Sequence, residues 1–177
     1  VETGEADINI VFDTVDYDRA LNNPDVQLWE HYSQTVWHLG YDNTKEWFNN
    51  KLVRQAINFA IDREACMEVG HNGHGTVMYN SATIAPTCLG AVQNPGDKYS
   101  YNPEKAKELM KEANCPGFET EIIVFRDEAE RIAVLVQSYL EVIGIKAKVT
   151  RIENAVFAST IANHGAPMFI TSWGAYW

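Results

Sequence analysis

The feature that most limits how this chain can fold lies at residues 121–152, where three differently patterned runs follow one another. Residues 121–125 form a short, largely apolar run of strand character. Ile132, Leu135, Val136, Tyr139, Leu140 and Ile143 then recur at helical spacing and share one face, until Gly144 stops the pattern. After it, Ile145, Ala147 and Val149 alternate with Lys146, Lys148 and Thr150, the period of a half-buried strand. A strand, a helix of about four turns and a second strand make a βαβ unit. Such a unit demands parallel pairing and a right-handed crossover. The chain is therefore expected to be α/β, with a mostly parallel sheet flanked by helices.

Other segments fit that frame. Residues 6–12 are read as a strand carrying Ile8, Ile10 and Phe12 on its apolar face, and residues 35–41 as another. A helix is expected from Lys51 to Val69, capped by Asn50 and stopped at Gly70. Its stripe is Val53, Ala56, Ile57, Ala60 and Ile61. Residues 71–101 are rich in Gly, Pro, Asn, Ser and Thr, and predict a long surface excursion. Asn102-Pro103-Glu104 announces a second helix, with a cap, a proline at the first position and an early acid, and it closes near Asn114. Asp127 with Glu130 looks like a capping box. A further helix over 155–163 and a strand over 168–172 complete the reading. The ending Trp173-Gly174-Ala175-Tyr176-Trp177 reads as a cut through, or just after, a binding site, and the start at Val1 as a processed or trimmed N-terminus.

Composition removes whole classes of function. The chain has 177 residues, enough for one domain or one lobe, and 46% of them are hydrophobic. No window approaches the ~18 apolar residues of a membrane span. The formal charge is −10, from 24 acidic and 14 basic side chains, which opposes nucleic-acid binding. No GxSxG elbow, P-loop or GxGxxG turn occurs, so neither catalytic residues nor a cofactor is expected. Cys66, Cys88 and Cys115 lack metal-ligand spacing; Cys88 and Cys115 could pair, or all three could be thiols. His71 and His74 are the most metal-like pair, but a solvated Gly-rich turn explains them better, and no metal site is expected. Asp127, Glu128 and Glu130 are taken as helix-start partners rather than acid–base groups.

The aromatic residues are more telling. Trp173, Tyr176 and Trp177 cluster just past a strand, where ligands gather in open α/β sheets. Flat side chains there can stack on a ligand, although a tryptophan can equally plug a core.

Four runs resemble one family in its own order. They are TGEADI at 3–8, VRQAINFAIDRE at 53–64, YNPEKAKELM at 101–110 and LEVIGIKA at 140–147. The chain resembles the peptide and nickel type of extracellular solute-binding proteins, family 5. That resemblance implies a periplasmic-binding-protein-like lobe of type II. Residues 1–30 would lead in from a first lobe, and residues 31–177 would form the second, C-terminally truncated. It implies a non-enzymatic component of an ABC importer that captures an extracellular peptide or similar small solute by two-lobe closure. A sugar-binding or ligand-sensing receptor on the same fold is the alternative. Implied partners are that ligand, membrane permease subunits and the missing first lobe, at an extracytoplasmic location: the periplasm, or the cell surface as a lipoprotein. Implied ligand-binding residues are Tyr32 and Ser33 at strand entry, with Trp173, Gly174, Ala175 and Tyr176. Tyr176 stands where peptide-binding members carry a carboxylate for the peptide's amino terminus.

Overall fold

The computed structural model describes residues 1–9, 14–31, 33–79, 84–91 and 98–174. Its elements are α1 (Tyr17–Leu21), β1 (Thr35–Tyr41), α2 (Lys51–Ala60), α3 (Arg63–His71), α4 (Pro103–Glu112), β2 (Phe118–Val124), α5 (Asp127–Val142), β3 (Ile145–Arg151), α6 (Asn154–Ala162) and β4 (Met168–Gly174). A 3-10 turn at Thr14–Asp16 leads into α1.

The predicted βαβ unit is present. β2 and β3 pair in parallel from Phe118 opposite Ile145 to Val124 opposite Arg151. β4 lies parallel on the other side of β2, and β1 closes the sheet antiparallel to β4, in the order β1-β4-β2-β3. One face of the sheet carries Ile122, Val124, Ile145, Ala147, Met168 and Ile170, which join α2, α4 and α5 in a single core. The other face is thinner: Ile123 and Phe169 meet Phe157 of α6. This two-sided cover is what parallel strands require.

Helix boundaries show where the reading of 51–69 as one helix fails. Asn50 caps as expected, its side chain accepting from the Leu52 amide. The stripe Val53, Ala56, Ile57, Ala60, Ile61 is buried throughout. The helix nevertheless breaks at Ile61-Asp62, where both residues are extended, and Asp62 starts α3 by accepting from the amides of Glu64 and Ala65. An aspartate offers the backbone this alternative more readily than most residues do. Gly70 does not stop the helix. It is buried inside α3, where a Cβ would sit 2.5 Å from Ile132 Cδ1, so it permits α3 and α5 to touch. Asn72, left-handed at φ 49°, ends α3 instead.

Two further expectations need correction. Residues 6–9 form no strand and Ile8 is 78% exposed; residues 10–12 of that expectation lie outside the described residues. Asp127 is the first residue of α5 rather than its cap, and no side chain caps that helix. The Asp127 and Glu130 carboxylates turn to Arg151 instead, at 2.5 and 2.8 Å, and hold its guanidinium above its ordinary range. Of the two readings left open for the cysteines, the structure has three thiols: Cys115 is sealed in the main core after α4, while Cys88 lies in the excursion. On α5, Leu135 and Tyr139 are half-buried, and Ala129 and Ala133 take the closest positions beside Ile132, Val136 and Leu140.

The remaining predicted elements hold with shifted ends. β2 starts at Phe118, three residues before the apolar run, because pairing with β3 carries it to Ile145. The described part of 71–101 beyond His71 contains neither helix nor strand.

Candidate ligand edge of the sheet

β2, β3 and β4 run the same way, so their carboxyl ends meet at one edge, together with the start of the antiparallel β1. The strands do not end level. Ile122 faces Met168 and Ile123 faces Phe169, which puts Val124, the last residue of β2, beside Ile170. Residues 171–174 therefore run on past β2 and pair with β1 alone, from His38–Thr171 to Thr35–Gly174. At ~3.3 Å per residue this two-stranded ribbon projects roughly 13 Å beyond the sheet, leaving a step at its base.

Alternation distributes the ribbon's side chains. Trp173 is paired with Val36 on the α6 side and is 72% exposed, an unusual setting for so large an apolar surface. Ser172 is paired with Trp37 on the opposite side. Arg126, which joins β2 to α5, stands on the step. Its Nη1 is 3.5 Å from Ser172 Oγ, and its guanidinium lies 5.0 Å from the Phe125 ring and 5.9 Å from the Trp37 ring. Trp37 in turn packs on His71 at 4.9 Å. Gly174 sits so close to β1 that a Cβ would come within 2.9 Å of Thr35 Oγ1.

Ser33 reaches the same edge. It is exposed; its hydroxyl accepts from the Thr35 amide at 2.9 Å, and its carbonyl accepts from the Thr87 hydroxyl at 3.2 Å. Thus Ser33, Trp173 and Gly174 come together, while Tyr32, Ala175, Tyr176 and Trp177 lie outside the described residues. Chemically, the edge offers an aromatic plate, hydroxyls and a guanidinium that could take a carboxylate in two parallel hydrogen bonds. Arg126 and Trp37 were not singled out from sequence. The signal for Arg126 is its place directly after a strand of the βαβ unit and just before the helix-start acids Asp127, Glu128 and Glu130.

The opposite pole is different. An open hollow there, lined by Lys45, Trp47, Phe48, Phe118, Glu119 and Pro167, sits at the amino ends of β2 and β4, away from this edge. The His-Asn-Gly-His run does turn, with Asn72 and Gly73 exposed, but its imidazoles are half-buried: His71 ends α3 and His74 packs on Tyr17. Among the described residues no cluster of three or more His, Cys, Asp or Glu could hold a metal ion, and no helix is long and apolar enough to cross a membrane.

A mostly parallel sheet, helices on both faces and an open, aromatic-bearing edge at the strand ends define the class: a lobe of the periplasmic-binding-protein fold. The chain belongs to the bacterial extracellular solute-binding proteins, family 5, matching the family's middle region along residues 1–177. Heme-binding protein A of Haemophilus influenzae is 31% identical over 153 residues, which cover 82% of this chain and 27% of that protein. Glutathione-binding protein GsiB of Escherichia coli K12 is 29% identical over 186 residues, covering 99% and 35%. Among solved structures, the periplasmic binding protein DppA of Helicobacter pylori, in complex with the peptide STSA, superposes with a TM-score of 0.85 at 29% identity, over 92% of this chain and 31% of that one. HbpA2 of Haemophilus parasuis gives 0.81 at 30% identity, over 98% and 35%. The chain thus spans about a third of the length of the relatives it matches.

Proposed function

We propose that the protein containing this chain is the ligand-capturing component of an ABC importer, working outside the cytoplasm on a peptide or similar small solute. The observation that carries this reading is the family match along all 177 residues. Residues 31–177 then supply most of one wall of a cleft, and residues 1–30 enter from the other lobe. The wall is the sheet edge: Trp173 offers its ring, Gly174 its backbone and Ser33 its hydroxyl, and the proposed set of ligand residues also includes Tyr32, Ala175 and Tyr176. A lobe of this kind needs no reacting group. Its work is to bury ligand surface between two walls and so favour the closed arrangement.

The relatives widen the candidate ligands to short peptides, glutathione and haem. The test is native mass spectrometry of the full-length protein for a co-purified ligand, followed by titration calorimetry with di- to tetrapeptides, glutathione and haem. Saturable one-to-one binding of a peptide or a similar small solute is expected. A full-length, folded protein that carries nothing and binds none of the panel would overturn the reading.

A further inference from the structure

The His-Asn-Gly-His run is left over once the ligand edge is accounted for, and its geometry assigns it a different task. Asn72 and Gly73 both have positive φ, 49° and 75°, and this double left-handed turn swings the chain after α3 back toward the N-terminal segment. Three contacts follow. The Asn72 side-chain amide donates to the Thr14 carbonyl at 3.1 Å. The His74 ring lies 3.9 Å from the Tyr17 ring, tilted by 37°. His74 Nδ1 stands 3.9 Å from Glu30 Oε1, while the Tyr17 hydroxyl donates to Glu30 Oε2 at 3.1 Å. That donation to a carboxylate is the main reason the Tyr17 phenol is held above its ordinary range.

We propose that the turn Asn72–His74 is a latch on the segment 14–30, and that protonation of His74 tightens it. With a neutral imidazole, the latch consists of ring packing and the Asn72 hydrogen bond. With a charged one, a cation faces the Glu30 carboxylate that Tyr17 already orients. Other ionisable groups lie around the latch. Asp18 lies beside Tyr17, and Glu68 lies under the turn, where its Oε2 is 2.9 Å from the Cβ position of Gly73. His71 is one turn back and accepts the His74 amide proton at its carbonyl. The consequence for function rests on the proposal that residues 1–30 come from the first lobe: the latch then ties the two lobes, and mild acid favours their closure.

The experiment reads the latch without any ligand, so a failed binding assay leaves it intact. Backbone hydrogen exchange of residues 14–30 in the full-length protein is compared at about pH 5.5 and about pH 8, a range across which imidazoles titrate, after correction for intrinsic rates. Protection is expected to be about two- to fivefold higher at the acid end, the range for an exposed ion pair. It should become independent of pH in both His74→Gln and Glu30→Gln. Asn72→Ala should lower protection equally at both values. Thermal melts at about pH 8 establish that the variants are folded, and a variant that is not is replaced by His74→Asn or Glu30→Ser. Wild-type protection that does not change with pH, or a change that survives both the His74 and Glu30 substitutions, would overturn the proposal.

Discussion

Trp173 and Asp42 show how differently single side chains serve this chain. Trp173 costs the isolated lobe solvent-exposed apolar surface and has no core to fill, so its removal should spare stability. In the full-length protein, Trp173→Ala is expected to weaken ligand binding by about 30-fold, the ~2 kcal/mol typical of an aromatic anchor, with little change in melting temperature. A variant that melts many degrees lower yet binds normally would place the ring in a core instead. Asp42 is structural. Its Oδ1 accepts from the Thr44 hydroxyl at 2.7 Å and the Thr44 amide at 3.0 Å, and its Oδ2 meets His164 Nδ1 at 3.0 Å. These contacts, the Thr44 hydroxyl first, hold the carboxyl below its ordinary range. A folded-state value below the unfolded one means that the stabilisation is complete above about pH 4 and drains away as pH falls through the folded value. Urea midpoints of wild type and Asp42→Asn should therefore differ near neutrality and converge in acid. A gap that stays constant down to about pH 3 would contradict this.

The helices separate positions that periodicity alone makes equal. Ile57 and Leu140 have no exposed surface and belong to one core, so Ile57→Ala or Leu140→Ala should destabilise by ~2–5 kcal/mol in denaturant titrations. Leu135 lies on the same predicted stripe yet is half-buried, and Leu135→Ala should cost clearly less than either. Equal losses at Leu135 and Leu140 would mean that the packing of α5 is misassigned. These positions also show what was legible beforehand. The alternation of 145–151 and the six-residue stripe of α5 disclosed the βαβ unit, because burial of one face writes itself into spacing. The break at Asp62 did not show, since Ile61 continues the stripe unchanged and an aspartate is compatible with either a helix or a cap. Residues 6–9 failed for the opposite reason: alternation reports a tendency to be extended, and only pairing with a neighbouring strand makes it a strand. The site divided in the same way. Trp173 announced itself by standing past a strand, whereas Arg126 and Trp37 gain meaning only from the stagger of β4 against β2, which pairing register alone discloses.

At the scale of the molecule, the strand order β1-β4-β2-β3 joins segments distant in sequence: among the described residues, 35–41 find their partner in 168–174. During synthesis, the α2-to-β3 portion can collapse around its helices while β1 has nothing to pair with. Closing so long a loop before any strand contact is formed is slow, because its entropy is lost first. Refolding should therefore show helix signal early and the environment of Trp37 late, and a chain stopped before residue 168 should leave β1 exposed to solvent and to other copies. Until β4 arrives, such a nascent chain exposes an unpaired strand, and β4 is also the strand that carries Trp173. The aromatic plate of the ligand edge would thus take its place in the same step that gives β1 its partner.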